Sequence, residues 1–113
     1  MGKIEQYQSY VLNILNDYAK TQPMNMHDVD NQVIKDEEGH HYVLIGTGWN
    51  QKLFSYSVIF HFDIKPDGKI WIMANNTDAD VAEDLELQGV PKSDIVIGFQ
   101  PKEYRQYTGY ATA

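Results

Sequence analysis

The 113-residue chain contains no cysteine. Disulfides, thiolate metal sites, iron–sulfur clusters and cysteine nucleophiles are therefore excluded. Positive charge is scarce as well: nine Lys and Arg stand against 16 Asp and Glu, for a formal net charge of -7. That is the reverse of the electrostatic footprint of a protein that binds nucleic acid through bulk charge. Long apolar runs are missing too. Residues 42–45 and 70–74 are the longest, far short of the roughly 18 residues a membrane helix needs, so no membrane role is expected. The start has no apolar signal region, and Gln6 stands where the myristoylation pattern wants Ser or Thr; the expected location is the cytoplasm. No repeat, low-complexity tract or linker interrupts the chain, and its length suits one hydrophobic core, so residues 1–113 are read as a single domain.

What is present is periodicity. Ile4, Tyr7, Val11, Ile14, Leu15 and Tyr18 fall at helical spacing within residues 3–20, which predicts an amphipathic helix with one buried face. Thr21-Gln22-Pro23 is expected to end it, because proline lacks an amide donor and pushes its predecessor out of the helical region. Residues 29–35 and 41–47 read as strands around the turn signal Asp36-Glu37-Glu38-Gly39. Residues 54–64 alternate: Phe54, Tyr56, Val58, Phe60, Phe62 and Ile64 share one side, which is assigned to the core, with Ser55, Ser57, His61 and Asp63 on the other. Pro66-Asp67-Gly68 predicts a tight turn into a fourth strand at residues 69–74. Thr77 is placed to cap a second helix whose apolar side holds Val81, Ala82 and Leu85, and Gly89 with Pro91 stops it. Residues 95–99 read as a buried fifth extended segment and residues 101–113 as ordered but irregular. The expected architecture is α+β: a mainly antiparallel sheet, formed by a four-stranded meander plus the fifth segment, with an N-terminal helix and a short second helix packed on one face.

Sites for chemistry are hard to find. His27, His40, His41 and His61 show no metal-ligand spacing, and adjacent His40 and His41 on a strand would point to opposite faces. Asp63-Ile64-Lys65 matches the D-x-K half of a metal-dependent nuclease, but no earlier Pro-Asp pair supplies the second carboxylate; it reads instead as a strand end with an exposed ion pair. Ser9, Ser55, Ser57 and Ser93 lie in no nucleophile elbow, and Gly46-Thr47-Gly48 lacks the third glycine of a dinucleotide loop. No catalytic residue, metal site or cofactor is expected. Negative charge concentrates in residues 28–45, one lysine against five acids, and in residues 77–94, one against six. The acids Asp78, Asp80, Glu83, Asp84 and Glu86 read as a solvated helix face that could also dock a basic partner. The tail crowds Tyr104, Arg105, Tyr107 and Tyr110 together; such residues either cover the sheet of a small domain or anchor interfaces.

One resemblance spans the chain. Asp63-Ile64-Lys65, Asp67-Gly68-Lys69-Ile70-Trp71-Ile72, Thr77-Asp78, Gly89-Val90-Pro91-Lys92, Asp94-Ile95-Val96, Gly98-Phe99, Pro101 and Arg105-Gln106-Tyr107-Thr108-Gly109-Tyr110-Ala111 stand in the order of the XisI family. The opening helix residues and the strand and turn at 42–49 resemble it as well, whereas Asn75-Asn76 departs from its pattern. XisI-family proteins are known as controlling factors for excision of the fdxN element, a DNA segment removed by site-specific recombination in nitrogen-fixing bacteria. They act with XisH, whose family looks nuclease-like. The resemblance implies a non-catalytic accessory factor whose partner is a XisH-like protein, within reach of the recombination machinery. The candidate contact residues are Tyr104, Arg105, Tyr107, Tyr110, Asp80 and Asp84. The rival reading, a direct DNA-binding accessory factor, needs Lys52, Lys65, Lys69, Lys102 and Arg105 on one face. Aromatic residues and strand edges also favour a homodimer.

Overall fold

The computed structural model describes residues 2–20 and 29–113. Helix α1 (Lys3–Ala19) buries Tyr7, Val11, Ile14 and Leu15, the stripe its spacing predicts. The expected stop at Thr21-Gln22-Pro23 and the position of His27 lie outside the described residues. Strands β1 (Val29–Asp36), β2 (His41–Asn50), β3 (Leu53–Ile64) and β4 (Ile70–Asn75) form an antiparallel meander. Helix α2 (Val81–Gln88) then carries the chain over to β5 (Ile95–Ile97), which pairs parallel to β4 at the edge of a sheet ordered β1-β2-β3-β4-β5. The architecture is α+β, as the periodicity predicts.

The turns are made by short polar side chains. The Asp36 carboxylate accepts the N–H groups of Glu38 and Gly39, each at 3.1 Å, and closes the β1–β2 connection. The Asp67 carboxylate accepts Lys69 N–H at 3.0 Å beside Gly68, whose φ of +85° calls for a residue without a Cβ. At the second helix the cap differs from expectation. Asp80, not Thr77, is the N-cap, its carboxylate accepting Glu83 N–H at 3.1 Å. The Thr77 hydroxyl accepts Ala79 N–H at 3.0 Å and donates to Asn75 Oδ1 at 2.7 Å, one turn too early for the helix. Asn75 and Asn76 hold this loop: their side-chain amides donate to Ala79 O at 2.8 Å and Val58 O at 2.6 Å.

Both helices lie against one face of the sheet. Val11, Leu15, Val81 and Leu85 close over Tyr42, Leu44, Phe60, Phe62, Ile70, Ile72 and Ile95 in a single cluster. The alternating stripe of β3 does not stay on that face. Leu44 pairs with Phe60 but Ile45 pairs with Val58, so Ile59 is an extra residue in β3, a bulge. Because side chains alternate with a period of two, one inserted residue moves everything before it to the opposite face. Phe60, Phe62 and Ile64 are buried in the core as expected, while Phe54, Tyr56 and Val58 are exposed beyond the bulge. In register they share their face with Ile45, Thr47 and Trp49. A second bulge, at Met73 of β4, keeps Ile72 and Ile70 opposite Phe62 and Ile64 in the core while leaving Trp71 opposite Asp63 on the other face.

The tail is more regular than the sequence suggests. A 3₁₀ turn at Lys102–Tyr107 follows β5, and Val96 makes a parallel bridge to Ala111, whose N–H donates to Ile95 O at 2.8 Å.

Candidate functional site

The face of the sheet turned away from the helices carries the chemistry. His41 of β2 is the direct cross-strand partner of Asp63 of β3. His61 lies two residues before Asp63, hence on the same face. His41 Nδ1 and His61 Nε2 each lie 2.7 Å from the same oxygen, Asp63 Oδ1. An ionised carboxylate only accepts, so both ring nitrogens donate in this arrangement. Asp63 is 7% exposed, the one buried charged residue among those described. Burial pushes its carboxyl up, but the hydrogen bonds from His41 and His61 and the charge of both rings outweigh this and hold it below the ordinary carboxylate value. The second oxygen, Oδ2, is 4.0 Å from Lys65 Nζ. Lys65 in turn lies 5.4 Å over the Trp71 ring, and Arg105 lies 4.9 Å over the same ring.

This geometry corrects one reading and adds to another. The Asp63–Lys65 pair is not an exposed ion pair at a strand end: its carboxylate is buried and belongs chiefly to the two imidazoles. His40 does part from His41, bonding instead to the Tyr42 hydroxyl at 3.1 Å. His41 nevertheless meets His61 and Asp63, whose ligand atoms and its own all lie within 4.8 Å of one another. Linear spacing could not reveal this group, because the cross-strand register joins residues 41 and 63. The visible signal is the pair His61-x-Asp63, which period-2 geometry puts on one face of β3. The cluster holds two imidazoles but no second carboxylate, so it does not complete the nuclease pattern begun by Asp63 and Lys65.

Further along the same face runs an aromatic stripe. Trp49 (56% exposed), Phe54 (55%) and Tyr56 (69%) stand together at the β2–β3 end, with the Trp49 and Phe54 rings edge to face at 5.2 Å. Ile34 and Val58 extend it.

The contact residues named from the sequence fall in three places. Tyr104 and Tyr107 are exposed on the 3₁₀ turn. Arg105 turns inward: besides covering Trp71, its Nε donates to Gln100 O at 3.1 Å. Tyr110 packs on the helix-covered core and donates its hydroxyl to Glu86 Oε2 at 2.8 Å, which with burial raises its pKa. Asp80 is spent on the α2 cap, and Asp84 lines a shallow cleft of about 420 Å³ between α1 and α2, with Asn13, Asp17, Tyr18 and Gln88. Tyr110 is thus held against α2, the helix that Asp80 caps and Asp84 belongs to, while Tyr104 and Tyr107 stand on the 3₁₀ turn. Sequence reasoning missed the aromatic stripe because it assigned Phe54, Tyr56 and Val58 to the core.

Fold and site define a small α+β protein with one sheet face sealed by helices and the other open, aromatic and marked by a His–Asp cluster. The chain belongs to the XisI family: the family model described as XisI protein matches residues 1–112. Two crystal structures from Anabaena variabilis ATCC 29413 resemble it over nearly their whole length. One, a XisI-like protein, is 43% identical with a TM-score of 0.88, covering 97% of this chain and 99% of that one. The other, the fdxN element excision controlling factor XisI, is 27% identical with a TM-score of 0.83, covering 99% and 100%. No curated protein matches the chain. Among the described residues, no helix is long and apolar enough to cross a membrane.

Proposed function

We propose that this chain is a cytoplasmic, non-catalytic accessory factor in the controlled excision of a DNA element, acting through contact with a XisH-like partner. Membership of a family that includes an excision controlling factor supports the role. The observation that supports the mode of action is the aromatic stripe of Trp49, Phe54 and Tyr56 on an open sheet face. Large amphipathic rings exposed together are the residues from which interface hot spots are drawn. Tyr104 and Tyr107 offer a second exposed aromatic contact. Against direct DNA binding stands the net charge of -7, which repels a polyanion on average.

The test is co-expression with a XisH-like protein followed by size-exclusion chromatography at micromolar concentration. A shared peak is expected, weakened by Trp49→Ala and Phe54→Ala by roughly 2 kcal/mol each. Separate elution overturns the proposal. A gel shift with steep salt dependence in the absence of partner would transfer the role to direct DNA binding.

A further inference from the structure

We propose that His41, His61 and Asp63 form a binding site for a divalent transition-metal ion of the zinc class. The inference is independent of the XisH-like contact. Three ligand atoms of borderline and hard character, two imidazole nitrogens and one carboxylate oxygen, already converge within 4.8 Å. That donor set suits Zn²⁺ and its neighbours rather than Mg²⁺ or Ca²⁺, which take oxygen ligands almost throughout.

The placement favours an ion over a simple ion pair in three respects. First, both imidazoles address one oxygen, Asp63 Oδ1, while Lys65 faces Oδ2; the carboxylate is thus oriented to give a single oxygen to the ion, with a supporting group on the other. Second, the donors stand on paired central strands, with 41 and 63 in register, so their backbones are fixed before any ion arrives. Third, the His41 and His61 side chains are 50% and 33% exposed above a carboxylate that is 9% exposed. An ion can therefore reach the group from solvent and keep water in its remaining coordination position, as three-ligand zinc sites do.

Binding requires a small, local change. Ligand atoms about 2.0–2.1 Å from a tetrahedral ion stand roughly 3.3 Å apart, so the two 2.7 Å contacts must open modestly by side-chain rotation. His41 Nδ1 and His61 Nε2 give up to solvent the protons they share with Asp63, each ring carrying its single N–H on its other nitrogen, so that two neutral imidazoles turn a lone pair to the ion.

The experiment is calorimetric titration of the tag-free, chelator-treated full chain with Zn²⁺, with Mg²⁺ in parallel. One Zn²⁺ per chain with saturable heat is expected, and no comparable heat with Mg²⁺. His41→Gln and His61→Gln remove a ligand while leaving the core intact, and each should weaken binding by more than the ~10–100-fold that loss of a mere supporting group costs. His40→Gln should bind as the unaltered chain does. Zn²⁺ should also raise the melting temperature of the unaltered chain and leave that of His61→Gln unchanged. Absence of saturable binding, or equal affinity in His61→Gln, overturns the site. Should a variant fail to fold, Co²⁺ added to the unaltered chain decides: the spectrum of an imidazole-ligated ion supports the proposal, that of the free aqueous ion refutes it.

Discussion

The two faces of one sheet are made of similar residues and meet different fates. On β3, Phe60 and Phe62 lie fully buried beneath α1, while Phe54 and Tyr56, a few residues earlier on the same strand, are more than half exposed. Hydrophobicity does not separate them, since both pairs are aromatic and spaced by two. The bulge at Ile59 does: it rotates the first half of the strand so that its rings leave the side that the helices cover. One face is therefore stabilised by packing, and the other presents apolar surface that only another molecule can bury.

Substitutions on the two faces should diverge accordingly. The largest effect is expected from Phe62→Ala, which opens a cavity in the helix-covered core and should cost about 3–5 kcal/mol in urea unfolding. A loss no greater than that of an exposed ring would break the contrast between faces. Gly98→Ala probes the seam where the tail meets the open face. Its Cβ would stand 2.9 Å from Met73 Sδ, 3.0 Å from Trp71 Cε3 and 3.2 Å from Ile72 O. Met73 can swing aside, but the indole and the β4 carbonyl cannot, so about 1–3 kcal/mol of destabilisation is expected in the same assay. A neutral result would mean that the tail is loosely seated on Trp71.

Much of the sealed face was legible in the sequence, and little of the open one. The helical stripe from Tyr7 to Leu15, the turn signals at Asp36 and Asp67 and the alternation of Phe60, Phe62 and Ile64 are local patterns, and local patterns survive folding. A bulge leaves only a faint trace: Val58-Ile59-Phe60 sets one apolar residue on the otherwise polar side of the run from Phe54 to Ile64, and Ile59 declares itself as the extra residue only once β2 is laid beside it. The His41–His61–Asp63 group was hidden for the same reason, since pairing across strands made it. Thr77 misled as a cap because an Asx-like loop built by Asn75 claims it first, leaving Asp80 to begin the helix.

Helix α2 gives a smaller, sharper check. Asp80→Ala removes the acceptor of Glu83 N–H and should cost about 1 kcal/mol, whereas Thr77→Ala, which loosens only the preceding loop, should cost less. Chemical denaturation of the two variants ranks them, and the reverse order would return the cap to Thr77. Acid sensitivity tests the edge of the sealed face. The Asp94 carboxyl is pushed up by burial but pulled further down by hydrogen bonds from the Tyr7 hydroxyl at 2.5 Å and the Lys3 ammonium at 2.9 Å, so it sits below its ordinary 3.8. A depressed folded-state pKa adds stability above the unfolded value, and this is lost as pH falls from 3.8 through the folded value. Asp94→Asn should therefore be less stable than the unaltered chain at neutral pH, with the gap closing in acid; a pH-independent gap in melting curves would contradict the linkage.

The smallest effect on stability should come from the open face itself. Tyr56 is 69% exposed and opposes Thr47 across the β2–β3 pair, so Tyr56→Ser forfeits a cross-strand contact and little burial. Less than about 1 kcal/mol of stability should be lost. The same change should weaken the complex with a XisH-like partner, or self-association, far more than it lowers the melting temperature, because an anchoring ring contributes only once the partner desolvates it. Parallel melting curves and binding titrations on this one variant separate the two quantities. A large stability loss with unaltered binding would show that the stripe serves the fold, and the distinction between the faces would then be one of degree.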